Sequence, residues 1–218
     1  MEPRSTFIPA LRFHWLTPLY DPLIRSWRVA SRMRSSVIDA LELRPGLRLL
    51  ELGAGSGRLA IEIKRRHPDV TIEGIDADTT MVARATRNAA SAGVEVGFRH
   101  GDMAELAELA ELGRFDRVYS TMVFHHLSLA AKRRALEGAL AALTPAGRFV
   151  VTDFGRPRDL VQRALFTLIQ QPFDGFENTA PHRDGRYEHA IRDTFRQVQS
   201  AGVWRSAVGT VEMFVCSP

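Results

Sequence analysis

The sequence predicts an α/β fold built on a parallel sheet, and three patterns support this class. From residue 47 onward, short apolar runs typical of strands alternate with segments of helical periodicity, the order that builds parallel sheets. The first run, Leu47 to Leu52, leads directly into a glycine-rich turn. Near the end of the chain, Val203 to Val208 and Thr210 to Val215 are separated only by Gly209, which predicts a closing antiparallel hairpin.

The chain has 218 residues with 45% hydrophobic content, enough for one substantial core and too little for two full-sized domains. We therefore predict a single domain over residues 1–218. Its parts are an N-terminal cover with a helix, a cofactor-binding core, a helical lid and the terminal hairpin. The predicted bounds of these parts are 1–45, 46–153, 154–202 and 203–218, respectively.

The composition also excludes several classes of protein. No stretch approaches the roughly 18 consecutive apolar residues of a membrane span, and the N-terminus lacks the continuous apolar run of a secretory signal. We therefore expect a cytoplasmic protein without integral membrane contact. Cys216 is the only cysteine, so neither an internal disulfide nor a cysteine-built metal site is possible.

The formal net charge is +4 at pH 7, and nearly all of the positive charge is arginine. Arg25, Arg28 and Arg32 share one face of a predicted helix and could contact a nucleic acid or a membrane surface. A solvated face opposite the apolar face of that helix explains them more simply. We expect no nucleic-acid partner, and a monomer or a homodimer.

The N-terminal part contains two predicted segments. Residues 1–20 carry aromatic residues interrupted by three prolines, without a clear period, and we expect them to pack over the rest of the protein. Asp21-Pro22 is typical of a helix start, because proline is favoured at the first helical position. The helical spacing of apolar residues continues to Leu41, and Pro45-Gly46 then leads into the first strand.

The core is predicted to alternate strands and helices. Its first half contains strand Leu47 to Leu52, a helix to about Arg66, strand Val70 to Ile75, helix Thr79 to Ala92 and strand Val94 to Phe98. Its second half contains a surface helix over residues 104–112, strand Phe115 to Met122, helix Ala130 to Leu143 and strand Arg148 to Asp153. Asp78 is expected to cap the helix that begins at Thr79.

Residues 154–202 depart from this alternation and form the candidate lid. We predict a helix from Leu160 to Gln170, a loop over residues 171–179, and a second helix that extends through Val198 and is ended by Gly202. A segment of this kind, next to a cofactor site, can admit a substrate and then exclude water.

The first strand ends in Glu51-Leu52-Gly53-Ala54-Gly55-Ser56-Gly57, which predicts a loop for a nucleoside cofactor. Glycine permits positive φ and close backbone approach, and amides at the start of the next helix can bind an anionic group. The dinucleotide fingerprint has its third glycine one residue later, where this chain has Arg58. Asp76 ends the second strand about 20 residues on, where a ribose-binding carboxylate is expected.

These residues resemble motif I of the class I S-adenosylmethionine-dependent methyltransferases, in which an acidic residue precedes the glycines as Glu51 does here. The resemblance covers roughly residues 45–155 and includes Gly101-Asp102-Met103, Phe115 to Ser120 and Leu143 to Phe149. It implies a Rossmann-like seven-stranded sheet in the order 3-2-1-4-5-7-6 with an antiparallel C-terminal hairpin. It also implies in-line methyl transfer from S-adenosylmethionine to a small organic molecule.

The resemblance further implies a set of cofactor-binding residues. Asp76 accepts hydrogen bonds from the ribose hydroxyls, and Asp102 meets the adenine amino group. Met103 either lies on the adenine ring or only packs in the core, while Tyr20 either crosses the cofactor or is a hydrophobic anchor. The complete set is Tyr20, Glu51, Gly53, Ala54, Gly55, Gly57, Asp76, Ala77, Asp102, Met103 and Thr121.

Two histidines follow the fourth strand at its carboxyl end, which faces the ligand crevice in open α/β sheets. His125 and His126 are the only side chains there that titrate near neutral pH, so either could take a proton from a hydroxyl or amine nucleophile. The alternative is that they shape the pocket or pack against the sheet. We name both as candidate catalytic residues.

The sequence around this turn also bears on metals and on the acceptor. No carboxylate lies between Ser120 and Leu127, so no oxygen-ligand metal site is evident there, and we predict no metal. Aromatic residues from several segments could surround a small, partly apolar acceptor, although core packing also explains many of them. These residues are Phe13, Trp15, Tyr20, Phe124, Phe154, Phe166, Phe173 and Phe176.

Two other functions remain open at this stage. A nicotinamide-dependent oxidoreductase could share a similar sheet, but the glycine spacing and the terminal hairpin disfavour it. A non-catalytic regulatory protein could bind S-adenosylmethionine through the same residues without transferring a methyl group.

Overall fold

The computed structural model of the protein describes residues 27–105, 114–205 and 209–218, with side chains from residue 31 onward. These residues form one seven-stranded sheet in the order β3-β2-β1-β4-β5-β7-β6. Strands β1 to β5 pair in parallel, and β7 pairs antiparallel with both β5 and β6. The predicted sheet order and the closing antiparallel pair are confirmed.

The elements of the nucleotide-binding half follow the predicted alternation closely. They are α1 (Trp27–Ala40), β1 (Arg48–Leu52), α2 (Arg58–Arg66), β2 (Thr71–Asp76), α3 (Thr79–Ser91) and β3 (Gly97–His100). Asp78 caps α3 as expected, since its carboxylate accepts from the amide of Thr80 at 2.8 Å.

The second half contains more helix than predicted. Its elements are β4 (Phe115–Thr121), a 3-10 turn (Phe124–His126), α4 (Leu129–Ala142), β5 (Leu143–Gly155), α5 (Leu160–Leu165), a π-helical turn (Phe166–Gln170), α6 (Gln171–Asp174), α7 (Phe176–Asp184), α8 (Arg186–Thr194), β6 (Gln197–Arg205) and β7 (Thr210–Ser217). The predicted loop over residues 171–179 is therefore mostly helical. Gly175, with φ of +88°, separates α6 from α7.

Several predicted boundaries are wrong. The helix expected to run through Val198 ends at Thr194, and β6 begins at Gln197 instead of Val203. Phe195 leaves the helical conformation and stacks its ring on Phe149 at 5.3 Å, so the burial of an aromatic side chain ends the helix early. The third strand begins at Gly97 instead of Val94, because the amide of Val94 still bonds to the carbonyl of Ala89 at the end of α3.

Apolar side chains cover both faces of the sheet. One cluster joins α4 and α8 to the sheet around Phe115, Phe149 and Phe195. The other joins α1 and α2 to the opposite face around Leu49 and Tyr119. Both faces of the sheet are therefore buried against helices, as a parallel sheet requires. This packing leaves the edge where the strands end for a ligand to bind.

Parts of the predicted architecture lie outside the described residues. These are residues 1–26, which include the predicted cover and Tyr20, and residues 106–113, which include most of the predicted surface helix. Residues 206–208, the last three of the strand predicted from Val203 to Val208, also lie outside them. Within the described ranges, no helix has the length and apolar character needed to cross a membrane.

Candidate active site

The glycine-rich loop is held tightly between β2 and the turn that follows β4. The amides of Gly53 and Ala54 both donate to the carbonyl of Ile75, each at 2.9 Å. Gly53 has φ of +70°, and a Cβ atom there would lie 2.5 Å from a methyl carbon of Val123. Only glycine fits this position, so the loop and the turn after β4 form adjoining walls of one site.

Gly55 differs from Gly53 because nothing lies within 4 Å of the position that its Cβ would occupy. Its φ is +52°, and its amide donates to a carboxylate oxygen of Asp76 at 2.7 Å. The other oxygen of Asp76 accepts from the amide of Asp78 at 2.9 Å. An ionised carboxylate has about four acceptor positions, so Asp76 can orient the loop and still accept from ligand hydroxyls.

Glu51 is buried beneath this loop, with 4% of its surface exposed. Its Oε2 has no hydrogen-bond partner within the described part of the chain, and the same is true of the hydroxyls of Tyr119 and Thr121. Burial raises the pKa of Glu51 to about 8, although interactions with Tyr119 and the backbone of Ala60 partly oppose this rise. A buried carboxyl oxygen without a partner is the kind of site that a ligand ammonium would complete.

The remaining predicted cofactor residues are placed less uniformly. Ala77 and Asp102 are exposed, and the Asp102 carboxylate accepts from the amide of Ala104 at 2.8 Å. Met103 is 5% exposed and belongs to the core cluster that contains Ile75, which matches the packing role considered for it. Its contact with an adenine ring stays a prediction, and Tyr20 lies outside the described residues.

The turn after β4 carries a buried histidine–aspartate pair. Nδ1 of His125 lies 2.8 Å from Oδ1 of Asp153, a residue near the end of β5. Oδ2 of Asp153 accepts from the amide of Val123 at 2.9 Å, and Oδ1 also accepts from the amide of Phe154 at 2.7 Å. Met122, with φ of +58°, makes the sharp turn that brings the histidine back over the strand ends.

The sequence-based prediction did not include Asp153 in the candidate site. Asp153 was identified only as the last residue of a predicted strand, although the carboxyl end of β5 lies beside that of β4 in the predicted order. A carboxylate at that end was the available signal. It could have been paired with the histidines that follow β4.

Opposite charges dominate the electrostatics of this pair. Burial lowers the pKa of His125, but the Asp153 carboxylate more than reverses this effect, and the net shift is upward. Burial raises the pKa of Asp153, but the attraction of His125 outweighs this effect, and the pKa lies well below its ordinary value. Burial and the adjacent His125 lower the pKa of His126 to about 4. His126 is therefore neutral near pH 7, whereas the Asp153 carboxylate favours a proton on His125.

Helices α4 and α7 fix the histidine turn from the other side. The Lys132 ammonium donates to the carbonyl oxygens of Leu127 and Asn178, the latter at 2.8 Å. The Asn178 side chain donates to the carbonyl of His126 at 2.8 Å. Burial lowers the pKa of Lys132 to about 7. The helices after β5 are therefore tied to the turn that carries the candidate catalytic residues.

Only some of the expected aromatic residues lie at this site. The Phe154 ring is 4.6 Å from the His125 ring, between centroids, and is half-buried. Phe124 and Phe166 are fully buried, so they belong to the core and do not line an open site. Phe176 is 57% exposed on α7.

Comparison with known proteins shows consistent similarities. The family described as "Methyltransferase domain" matches residues 49–147. The demethylmenaquinone methyltransferase of Thermus thermophilus is 37% identical over 170 residues, which cover 75% of this chain and 74% of that protein. The ribosomal RNA small subunit methyltransferase C of Stutzerimonas stutzeri is 30% identical over 162 residues, which cover 72% of this chain and 45% of that protein.

A solved structure shows the same fold at lower sequence identity. The magnesium protoporphyrin IX methyltransferase of Synechocystis PCC 6803, crystallised with bound SAH, superimposes with a TM-score of 0.66 at 18% identity. The match covers 86% of this chain and 83% of that one.

Proposed function

Since the chain belongs to the class I S-adenosylmethionine-dependent methyltransferases, in the quinone-biosynthesis group, we propose that its methyl acceptor is a hydroxylated, quinol-like ring. The family membership makes the chain an enzyme that transfers a methyl group from S-adenosylmethionine to a small organic molecule. It also excludes the alternative of a nicotinamide-dependent oxidoreductase. The proposal concerns the acceptor and the residues that act on it.

The cofactor is proposed to bind along the edge formed by the glycine loop and the ends of β1 and β2. The open space at Gly55, the spare acceptor positions of Asp76 and the unpartnered Oε2 of Glu51 all fit its groups. Glu51 would face the ammonium, Asp76 the ribose hydroxyls, and backbone at Gly53 and Thr121 the amino-acid portion. When bound, S-adenosylmethionine supplies a methyl group on a positively charged sulfur.

The buried His125–Asp153 pair is the observation that carries the proposal. Asp153 holds the Nδ1–H of His125, which leaves the Nε2 lone pair as the acceptor, and Nε2 has no hydrogen-bond partner among the described residues. We propose that Nε2 takes the proton of the acceptor hydroxyl, so that the ring becomes an electron-rich nucleophile. The proton then lies on His125, and the neighbouring Asp153 carboxylate stabilises the resulting imidazolium.

An apolar ring suits the surroundings of this pair. Phe154 lies against His125 at the edge that the acceptor would approach, and α7 is hydrogen-bonded through Asn178 to the turn that carries the histidines. The demethylmenaquinone methyltransferase relative points to a quinone-like molecule by its name. The lid role of residues 154–202 remains part of this proposal.

A pair of conservative variants tests the proton acceptor. We expect His125→Gln and Asp153→Asn to lower kcat toward a demethylated quinol by about 100-fold or more, the usual size of a general-base contribution. Calorimetric affinity for S-adenosylhomocysteine should stay within about threefold, because neither residue lies on the proposed cofactor edge. His189→Ala, at an exposed position on α8, serves as the control.

The possible outcomes separate the alternatives. Full activity of a folded His125→Gln variant would exclude the histidine as proton acceptor. Cofactor binding without product from any hydroxylated acceptor would exclude the proposed class of acceptor. Methylation of an RNA fragment instead of a quinol would favour the activity named for the ribosomal RNA relative.

Location and assembly are also proposed. We propose a cytoplasmic monomer or homodimer that acts without a nucleic-acid partner. The chain spans less than half of the ribosomal RNA methyltransferase that it resembles, so that enzyme's substrate is a weak guide to its own. Light scattering during size-exclusion chromatography tests the assembly, and a filter-binding assay with RNA tests the absence of a nucleic-acid partner.

A further inference from the structure

The 3-10 turn after β4 and helix α6 bring two imidazoles and one carboxylate together. A ring nitrogen of His125, a ring nitrogen of His126 and a carboxylate oxygen of Asp174 all lie within 4.8 Å of one another. We propose that these three residues form a binding site for a transition-metal dication, with Zn²⁺ as the best-matched ion. In the described part of the chain, no other group of three potential ligands is arranged in this way.

The orientation of His125 supports coordination through Nε2. Its Nδ1 is engaged by Asp153 at 2.8 Å, so Nε2 is the nitrogen left to bind a metal. Metal-binding histidines commonly donate their other ring N–H to a carboxylate, which fixes the ring and increases its basicity. Asp153 is itself held by the amides of Val123 and Phe154. The histidine is therefore oriented before any metal arrives.

The other two ligands are also available. The ring nitrogens of His126 make no hydrogen bond with any described residue, although its backbone carbonyl is held by Asn178. One oxygen of Asp174 accepts from the side chain of Gln170, and the second oxygen remains free to coordinate. All three side chains are buried or half-buried, so a bound ion would be only partly hydrated.

The geometry requires a modest closure. Two ligand atoms on one tetrahedral zinc ion, each about 2.0 to 2.2 Å from it, lie roughly 3.4 Å apart. The present spread of up to 4.8 Å would close by rotation of the His126 and Asp174 side chains. Three protein ligands leave a fourth position for water or an acceptor oxygen.

Charge and ligand type favour this class of ion. Asp153 and Asp174 bring two carboxylates to the cluster, while the nearby Lys132 ammonium is directed at the carbonyls of Leu127 and Asn178. Two imidazoles with one carboxylate suit zinc, iron or cobalt, whereas magnesium and calcium prefer sites made entirely of oxygen. The absence of a carboxylate near the turn in sequence, on which the expectation of no metal was based, is offset by Asp174 from a distant helix.

Metal binding and the proposed proton transfer use the same nitrogen. A zinc ion on Nε2 of His125 occupies the lone pair that a proton would take, so zinc should inhibit methyl transfer if His125 is the proton acceptor. The metal site itself does not depend on that function. Its test therefore uses neither cofactor nor acceptor.

Calorimetric titration of tag-free, chelator-treated protein with Zn²⁺ tests the site. We expect one ion per chain, with affinity reduced at least tenfold in both His126→Ala and Asp174→Asn. His189→Ala should bind as the unaltered protein does, which controls for adventitious histidine binding. Titration with Co²⁺ should give a visible absorption band typical of nitrogen and oxygen ligands, and Asp174→Asn should change that band.

Two results would overturn the proposal. One is the absence of saturable binding in protein whose circular dichroism shows a folded state. The other is equal affinity in the unaltered protein, His126→Ala and Asp174→Asn. Asp174→Asn keeps the shape of the side chain and its contact with Gln170, so the test stands even where His126→Ala fails to fold.

Discussion

Replacement of Glu51 by glutamine should stabilise the free protein at mildly alkaline pH. The carboxyl group is buried and its Oε2 has no partner within the described ranges, so the folded state holds it in the neutral form. Burial raises its pKa from the ordinary 4.5 to about 8. Glutamine has nearly the same shape and no charge at any pH, so Glu51→Gln removes the titration and leaves the packing.

The sign and size of the effect follow from proton linkage. Between the unfolded and folded pKa values of Glu51, the folded chain keeps a proton that the unfolded chain has lost. The contribution of Glu51 to stability is therefore greatest below about pH 4.5 and falls as pH rises toward about 8. Each pH unit in that window lowers the free energy of unfolding by about 1.4 kcal/mol. From about pH 6 to about pH 8, Glu51 should therefore lower the free energy of unfolding by about 2 to 3 kcal/mol.

Urea denaturation followed by circular dichroism at both pH values measures this contribution. The difference in unfolding free energy between the two proteins must be used, because other groups titrate in the same range. Lys132, with its pKa lowered to about 7, changes stability with pH in the opposite direction. We expect the stability of Glu51→Gln, relative to the unaltered protein, to increase with pH. Parallel pH profiles for the two proteins would refute the assignment of a neutral buried Glu51.

Two further variants test the cofactor edge. Asp76→Ala should reduce S-adenosylhomocysteine affinity at least tenfold by calorimetry, because charge-assisted hydrogen bonds contribute about 1.5 to 3 kcal/mol each. Asp78→Ala should lower the melting temperature slightly through the lost helix cap and leave affinity unchanged. Equal affinity in a folded Asp76→Ala protein would contradict the ribose assignment. Gly53→Ala, whose Cβ would lie 2.5 Å from Val123, should lose about 1 to 3 kcal/mol of stability, and Gly97→Ala, with its nearest neighbour at 3.8 Å, should lose far less. Similar melting temperatures for these two variants would show that the loop tolerates the added methyl group.

Local patterns in the chain were sufficient to predict the sheet and one wall of the site. The alternation of strands and helices, the glycines after β1 and the capping role of Asp78 each depend on residues that are neighbours in sequence, so their geometry follows from short-range sterics and hydrogen bonds. The placement of Asp76 at the loop follows from the parallel pairing of β1 with β2, which alternation already implies. For the same reason the sequence could place the predicted ligand site at the carboxyl edge of the sheet.

The tertiary structure decided what the histidines can do. His125 and Asp153 are separated by 28 positions, and they meet only because β4 and β5 are neighbours in the sheet and Met122 reverses the chain. Asp174 reaches them through the helices after β5, in a segment whose helical form depends on packing beyond its local pattern. Contacts between distant residues are set by how elements pack, and a one-dimensional pattern does not contain that packing. The sequence by itself therefore determined the family and the glycine-rich loop, whereas the buried histidine–aspartate pair and the candidate metal ligands arise from the fold.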